Sequence, residues 1–333
     1  MRKHLIYLLS LSTVLLSGCL FDDQSDCPTG NATALRLHLS YNEGSEASGV
    51  LPIERADFYL FDANHHFVCS LTDVTGPFTT TYQRTLALPA GTYTLIAWAN
   101  LDNSLATLPA SFTAEETTFD DARLTLNSLL QETSATTTGG EDVSTSGPQR
   151  PLYHAMEQSV RIVENQTTDL TLPLHRNTKD IRLTVSFYQK DGTLCEDPSH
   201  QPSARIYSTD GILQFDNSVL PCPVFAYTPA TQDASIAGST KMLFHKMTLR
   251  LRADAPRIVI NTPNPQGEAT PFYSESLMKL LAGTGYATQE ALDGMHAYNI
   301  VLRFTCPHGT SDTYTTVRIW VNGWEYVDMG GGV

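Results

Sequence analysis

Ile181-Arg182-Leu183-Thr184-Val185-Ser186-Phe187-Tyr188 alternates apolar and polar side chains without a break. A period of two residues is the period of a β-strand, because successive side chains of a strand point to opposite faces. The polar segment 175–180, HRNTKD, separates this run from an earlier strand-like run at 170–174. This stretch therefore predicts a strand-rich fold, and we expect a domain boundary near residue 176.

The same period recurs on both sides of this stretch. Residues 56–62 are apolar on both faces, which is typical of a strand covered on both sides. Proline and glycine in the segment 89–92 predict a tight connection that pairs the strands 85–88 and 93–98. Asn322-Gly323 between apolar runs predicts a hairpin near the end of the chain. Further strands are predicted at 35–41, 67–68, 159–163, 170–174, 204–208, 212–216, 223–228, 242–252, 256–261, 298–305, 314–321 and 324–327.

Only two stretches favour helices: 273–281, which Gly283 would end, and 289–295. Many short strands joined by short links predict an all-β protein of two tandem antiparallel β-sandwich domains with one or two short helices. The length agrees, because one hydrophobic core rarely serves more than about 250–300 residues. We expect an N-terminal sandwich at 34–176 and a C-terminal sandwich at 177–333. The polar segment 132–150, whose only large apolar residue is Val143, is expected to be an exposed loop.

The first nineteen residues have the order of an export signal. Arg2 and Lys3 precede a run of twelve uncharged, leucine-rich residues, and a membrane-spanning helix needs about 20. The run ends in Leu16-Ser17-Gly18-Cys19, which resembles the lipobox of bacterial lipoproteins. That resemblance implies a signal peptide at 1–18, cleavage before Cys19 and lipid (diacylglyceryl and acyl chains such as palmitate) on Cys19. The alternative is an ordinary secreted protein with a cysteine near the cleavage site.

Residues 19–33 are predicted to be an acidic tether. Asp22, Asp23 and Asp26 resemble the acidic export signals that send some lipoproteins to the outer face of an outer membrane, or they belong to a solvated linker. The whole chain carries 21 basic and 35 acidic residues, a net charge of −14. Without Arg2 and Lys3 the balance is 19 to 35, or −16. Such a surface argues against nucleic acid as a partner and against electrostatic membrane binding.

The cysteines give only a provisional disulfide pattern. If Cys19 carries lipid, an odd number of cysteines remains, so at least one lacks a partner within the chain. An exported protein can form disulfides. The pairs Cys27–Cys69 and Cys222–Cys306 are our first expectation, with Cys195 left over, although the spacing does not settle the pairing.

No residue pattern indicates catalysis, a cofactor or a metal. The chain contains no G-x-S-x-G, H-E-x-x-H, G-x-G-x-x-G or P-loop motif. His65 and His66 are adjacent residues near a predicted turn, where joint ligation of a metal is awkward. The acidic pairs 22–23 and 115–116 lie in polar stretches and are expected to be solvated. Trp98, Trp320 and Trp324 lie at strand positions, where core packing is the simpler role of each. If Trp320 and Trp324 were exposed together, they could stack on a sugar ring.

Several short motifs, taken in order, resemble the FimB-type fimbrial anchor lipoproteins, the minor subunits at the base of type V pili. They are the lipobox, an Asp-Asp stretch, a second cysteine at 27, a strand ending in Tyr41, FYLFD (58–62), PAGTYTL (89–95), AWAN (97–100), LHRNTKDI (174–181) and IWVNGW (319–324).

The resemblance covers nearly the whole chain. It implies two transthyretin-like β-sandwiches, a lipid-anchored position on the outer membrane facing the cell surface, and a non-enzymatic role. The implied partner is the major fimbrial subunit, which the anchor would fix to the cell and limit in length. Sheet edges could contact that subunit by strand pairing. The last strand, from Trp324 to Met329, is either donated to the partner or kept in its own hairpin. A surface glycan-binding lipoprotein is the alternative function.

Overall fold

The computed structural model describes residues 27, 33–41, 50–103, 105–107, 112–132, 143–195, 201–251, 255–263, 269–306 and 316–326. The predicted signal peptide 1–18, the lipidation residue Cys19 and the acidic residues 22, 23 and 26 lie outside this part of the chain. No helix within it is long and apolar enough to cross a bilayer.

The fold is all-β, as predicted, and every predicted strand overlaps an observed one. The strands are β1 (Ala34–Tyr41), β2 (Ala56–Asp62), β3 (Phe67–Asp73), β4 (Gln83–Ala87), β5 (Gly91–Ala99), β6 (Ala106–Thr107), β7 (Arg123–Leu126), β8 (Ser144–Thr145), β9 (Tyr153–Ile162), β10 (Thr167–Arg176), β11 (Lys179–Tyr188), β12 (Ser203–Ser208), β13 (Ile212–Gln214), β14 (Phe225–Tyr227), β15 (Thr231–Ile236), β16 (Ser239–Lys246), β17 (Arg257–Pro263), β18 (Ala269–Ser276), β19 (Ala297–Thr305), β20 (Thr316–Val321) and β21 (Trp324–Tyr326). The described helices are α1 (Asn127–Glu132), α2 (Leu277–Ala282), α3 (Gln289–Asp293) and a 3₁₀ turn at Phe119–Asp121.

The first sandwich is one sheet folded over on itself, in the order β3-β2-β5-β9-β10-β1-β4. β9 and β10 pair only through Tyr153 with Arg176 and His154 with His175, so the sheet bends there. Inward side chains of β1 and β10 then share one buried cluster with those of β2 and β5. Most pairs are antiparallel, but β1 runs parallel to β10.

The second sandwich packs a six-stranded sheet, β15-β16-β11-β19-β20-β21, against a five-stranded sheet, β18-β17-β12-β14-β8. Ile181, Leu183, Val185 and Phe187 of β11 are fully or almost fully buried in its core. This side is the apolar face that the alternating sequence predicts. β11 is antiparallel to β16 and parallel to β19.

The two sandwiches share strands and core. β7 pairs with β13 in a three-stranded sheet of order β13-β7-β6, and β8 pairs with β14 at the edge of the five-stranded sheet, so strands from before and after residue 176 share sheets. Tyr59 and Phe61 of β2 belong to the second core cluster, whereas Phe58 and Leu60 belong to the first. This double burial explains why the sequence of β2 is apolar on both faces.

Some local predictions are wrong. β4 and β5 do not pair with each other: β4 pairs with β1, and β5 with β2 and β9. Residues 273–276, predicted as helix, form the end of β18, and α2 begins only at Leu277. β16 ends at Lys246 rather than at residue 252, and β15 was not predicted. The segment 132–150 is not simply an exposed loop, because Val143 is buried and β8 belongs to a sheet.

One disulfide prediction is right and the other is wrong. Cys27 bonds to Cys69, as expected. Cys306 bonds to Cys195 rather than to Cys222, because Cys195 follows β11 and Cys306 follows β19, its parallel neighbour in the sheet. The Cys222 thiol lies instead 3.1 Å from the carbonyl oxygen of Thr209.

Candidate functional site

The N-terminal segment is tied to the first sandwich well before its first strand. Cys27 is 3% exposed and is bonded to Cys69 of β3. Residue 27 is therefore part of the folded body, although the sequence placed it in a tether that reached residue 33. Cys27 is the eighth residue after Cys19, and eight residue-to-residue steps span at most about 26–29 Å, so a lipid on Cys19 would hold the body within that distance of its membrane.

The C-terminal hairpin forms as predicted and leaves its last strand at a sheet edge. Asn322 and Gly323 have φ angles of 50° and 83°, the positive values that a two-residue hairpin turn needs. β21 pairs with β20 on one side, so Trp324–Tyr326 stay in their own hairpin. Residues 327–329 of the predicted donor strand lie outside the described part.

Trp324 is the most exposed large apolar side chain of the described residues, at 70%. It lies opposite Val321, so both side chains are on the same face of the β20–β21 pair, where Val321 is buried and the indole is exposed. An exposed tryptophan on an open strand edge provides both backbone groups and an anchor side chain to a partner.

The tryptophans do not form a common sugar platform. Trp320 lies opposite Glu325, on the other face of the β20–β21 pair from Trp324. The Arg303 guanidinium covers the Trp320 ring at 4.6 Å from its centroid. Trp98 is fully buried in the core.

The opposite edge of the same sheet, β15, is a poorer docking strand. Its register with β16 shifts between Asp233 and Ile236, so the strand is irregular. A bulge and a charged side chain are two devices that protect an edge from pairing. Ile236 nevertheless remains 51% exposed, which makes it a useful comparison for Trp324.

A groove of about 1030 Å³, lined mostly by polar and charged residues, lies where the two sandwiches meet. Its walls come from β9 and the end of β10 in the first sandwich, and from the turn 216–218 and the end of α3 in the second. Lys179 fixes the α3 wall, because its buried Nζ donates to the carbonyl oxygens of Leu292, Asp293 and Met295. Such a cation also complements the negative end of the helix.

Asn177 is at the centre of the groove's hydrogen-bond network and is 2% exposed. Its Oδ1 accepts from Asn217 Nδ2 and from Arg250 Nη2, both at 3.0 Å. Arg250 also contacts Asp293 at 2.8 Å.

His154 lies on the wall of the groove, and burial lowers its pKa to about 4. Its ring is therefore neutral at physiological pH, and Nε2 donates to the Phe215 carbonyl oxygen at 2.8 Å. Sequence inspection missed this site; its only signal was the polar run between β10 and β11.

The histidine pair 65–66 and the acidic pair 115–116 do not belong to this groove. His65 is exposed, and His66 Nδ1 lies 4.0 Å from Asp62. Glu115 and Glu116 are exposed. Within the described residues, no three His, Cys, Asp or Glu side chains are close enough to hold a metal ion.

Comparison with known proteins gives one family match and several structural likenesses. Residues 24–330 match the family described as fimbrillin-A associated anchor proteins Mfa1 and Mfa2. The fimbrial anchor protein Mfa2 from Porphyromonas gingivalis has a similar structure, with a TM-score of 0.67 and 15% identity over 88% of this chain and 99% of that chain. No curated protein sequence matches the chain significantly.

Two further solved structures have the same fold. A candidate polysaccharide-binding protein from Bacteroides thetaiotaomicron has a TM-score of 0.69 and 21% identity over 88% of this chain and 96% of that chain. A candidate adhesin from Bacteroides ovatus has a TM-score of 0.65 and 15% identity, and covers 89% and 97%. At these identities the likeness establishes the fold alone.

Proposed function

This chain belongs to the family of fimbrillin-A associated anchor proteins, and from that premise we propose that it is an outer-membrane lipoprotein that holds the base of a fimbria on the cell surface. Lipid on Cys19 supplies the attachment to the membrane, and the major fimbrial subunit is the partner. The family match over residues 24–330 is the observation that carries this proposal, because it spans both sandwiches rather than one motif.

The covalent path supports an anchoring role. Each buried CH₂ of an acyl chain contributes about 0.8 kcal/mol, so several chains on one cysteine hold a protein far longer than a single chain does. From Cys19 the path runs through seven residues to Cys27 and across the disulfide into β3. A pull on the folded body is thus transmitted to the lipid through a short segment. The base of the fibre ends on a membrane-held subunit, which also limits its length.

We place the contact with the fimbrial subunit at the β21 edge. Among the described strands, β21 has a neighbour on one side only, so its other side offers backbone groups to an added strand. Trp324 is 70% exposed there, and burying such a side chain at an interface is a common source of binding energy. The β15 edge lacks both a regular register and a large aromatic residue.

Replacing Cys19 by Ala tests the membrane attachment. The variant is expected to fold, with an unchanged circular dichroism spectrum, and to be released into the medium together with its fibres. Retention of fibres on cells that express only this variant would rule out anchoring through Cys19.

Replacing Trp324 by Ala tests the contact edge. We expect at least a tenfold loss of affinity for the purified fimbrial subunit, corresponding to about 1.4 kcal/mol or more. Ile236→Ala, on the other edge of the sheet, is the matched control and should bind normally. The reverse pattern would assign the contact to β15 instead, and equal binding by both variants would exclude this sheet's edges.

A further inference from the structure

The outer face of the six-stranded sheet carries basic side chains that the fold itself leaves largely unneutralised. They alternate with buried residues of β11, β16, β19 and β20, and all four are exposed: Arg182, Lys241, Arg303 and Arg318. Among the described residues, Arg318 forms an ion pair with Glu325, and the other three basic residues form none. This face is therefore rich in cations, although the whole chain has 35 acidic and 21 basic residues.

The acidic residues of this face do not balance its centre. Asp233 and Glu325 lie on β15 and β21, the two edge strands of the sheet. Asp180, at one end of β11, is already paired with Arg176 at 3.1 Å and with His245 at 2.9 Å. The middle strand β19 thus presents positive charge without a carboxylate of its own.

Arg303 of β19 is held in place by two aromatic rings. Its guanidinium carbon lies 4.6 Å from the centroid of the Trp320 ring and 5.1 Å from the centroid of the Tyr188 ring. These rings come from β20 and β11, the neighbours of β19 on either side. A guanidinium over an aromatic ring interacts through its charge and its face, which leaves the N–H donors in its plane for an anion. Arg303 makes no side-chain hydrogen bond to another described residue, so these donors are available to a ligand.

A second guanidinium lies beside the first, because Arg318 is directly opposite Arg303 in the β19–β20 pair. Side chains in this position have Cβ atoms about 4.5–5.5 Å apart, and like charges there are destabilising. Glu325 offsets the charge of Arg318 only weakly, since the pair is 3.7 Å apart and both side chains are about half exposed. Two neighbouring guanidiniums form a site for an anion that has more than one oxygen atom, such as a carboxylate or a phosphate.

The surroundings favour an anion that belongs to a protein. The cations are on an exposed sheet face, where solvent screens a small free ion. Trp320, Val301 and Leu243 are half-buried apolar side chains of the same face, and a protein partner would cover them as well. Arginine, tryptophan and tyrosine are enriched in protein–protein interfaces, and Trp and Arg often supply most of the binding energy.

We propose that this face binds acidic side chains of a protein partner, with Arg303 and Arg318 as the cations that receive a carboxylate. An anionic bilayer fits less well, because a charged plane acts on much of a chain whose net charge is −14. A protein contact involves mainly the charges within about 8 Å, the Debye length at physiological salt. The face borders β21, so the expected partner is the fimbrial subunit; for the identity of the partner alone, the inference rests on the proposed function.

Calorimetry on the full mature protein tests the site without any fimbria. Hexaglutamate should bind at low salt, hexaglutamine should not, and the affinity for hexaglutamate should fall as salt is added. Arg303→Gln should weaken hexaglutamate binding at least about tenfold, because the anchored cation is lost. Arg161→Gln is the matched control, since Arg161 is an exposed cation of β9 in the first sandwich and the change in charge is the same.

Two further variants separate geometry from charge. Arg303→Lys keeps the charge but loses the planar guanidinium, so it should weaken hexaglutamate binding by about threefold or more. Arg318→Gln removes the second cation and should have an effect of about the same size. The replaced side chains are exposed, so the circular dichroism spectra of all variants should match that of wild type.

The purified fimbrial subunit separates this inference from the proposed function. The double variant Arg303→Gln/Arg318→Gln should bind the subunit at least about tenfold more weakly than wild type. Equal binding by the double variant and wild type overturns the inference and leaves the β21 contact intact. A subunit that does not bind wild type overturns the proposed contact, and the peptide experiment alone then decides the inference.

The inference is overturned if hexaglutamate does not bind at millimolar concentration, or if Arg303→Gln and Arg161→Gln bind it equally. It is also overturned if inorganic phosphate or phosphatidylglycerol vesicles bind through Arg303 and hexaglutamate does not. A dimer in sedimentation experiments that Arg303→Gln dissociates would likewise overturn it, since the face would then bind a second copy of this chain.

Discussion

At the scale of single residues, the ion pair of Lys246 with Asp210 is the most deeply buried of the described charged pairs. Both side chains are fully buried, and the Nζ and Oδ2 atoms are 2.6 Å apart. Removing one partner of such a pair leaves an uncompensated charge in the core. We expect Lys246→Met to lower the free energy of unfolding by about 3–5 kcal/mol.

Urea unfolding at pH 7 measures this loss. Arg36→Met is the control, because the Arg36–Asp169 pair is exposed and should contribute at most about 1 kcal/mol. A loss for Lys246→Met no larger than that of the control would mean that Asp210 tolerates burial without its cation.

His154 makes stability depend on pH. Burial lowers the pKa of His154 to about 4 in the folded protein, against 6.5 for an ordinary histidine. As the pH falls below 6.5, the unfolded chain takes up a proton that the folded chain does not bind until about pH 4. The contribution of neutral, buried His154 to the free energy of unfolding is therefore fully present above pH 6.5. It is lost as the pH falls from 6.5 to 4, by roughly 3 kcal/mol in all.

Unfolding free energies of wild type and His154→Gln at pH 7, 5.5 and 4 test this slope. The variant should lose less stability than wild type between pH 7 and 4. His65→Gln, at an exposed histidine of the β2–β3 turn, is the control and should keep the wild-type slope. Parallel curves for wild type and His154→Gln would contradict the prediction.

At the scale of elements, the sequence predicts best those strands in which the order of apolar and polar residues matches the order of buried and exposed side chains. β11 alternates because one face is core, and β2 is apolar throughout because both faces are. β15 was missed because most of its residues are exposed on both sides, so it has no hydrophobic period. The pairing of β4 with β1 also escaped prediction, because a turn-like connection does not show which distant strand lies alongside.

Tertiary pairing also overrode local preference at the start of the predicted helix 273–281. Residues 273–276 pair with β17 and remain extended, and only the following six residues become helical. The groove was equally hidden, because Asn177 and Asn217 lie 40 residues apart in the chain. No motif joins them, and only the folded contact of two sandwiches brings their amides together.

The Asn322–Gly323 turn is the element that positions β21. Gly323 has a φ of 83°, where an L-residue costs about 1–2 kcal/mol. Gly323→Ala should lower the unfolding free energy by that amount, with space for the new methyl group because nothing lies within 4 Å. Gly294→Ala, at φ −71°, is the control and should be nearly neutral. Equal effects in urea unfolding would argue against backbone strain as the cause.

At the scale of the whole molecule, the two sandwiches are linked more closely than a boundary at residue 176 suggests. β7 and β8 precede that boundary but pair with β13 and β14 after it. One core cluster contains both Tyr59 of the first half and Ile181 of the second. The sequence indicates the point at which the chain passes from the main sheet of the first sandwich to the main sheet of the second. The division into two independently folding domains stays a prediction.

The distance from the membrane is the last property that depends on the whole molecule. With lipid on Cys19, the Cys27–Cys69 disulfide fixes the chain eight residue-to-residue steps from the lipid. Without the disulfide, Thr33 is a further attachment point fourteen steps from Cys19, because its carbonyl oxygen and hydroxyl accept hydrogen bonds from the backbone N–H groups of Leu88 and Asn165. Cys69→Ser should therefore raise the maximum separation between bilayer and protein from about 26–29 Å to about 46–50 Å. Neutron reflectometry of the lipidated protein on a supported bilayer measures this separation.

If lipid on Cys19 holds the chain in the membrane, as we propose, fibres should remain attached in the Cys69→Ser variant, because that variant loses only the disulfide. Cys222→Ser, at a cysteine outside both disulfides, should leave the separation unchanged. An unchanged layer distance in folded Cys69→Ser would mean that contacts other than the disulfide hold residue 27 against β3. A larger distance with fibres retained would assign different roles to the two features. The lipid would then keep the chain in the membrane, and the disulfide would set the distance between the bilayer and the folded protein.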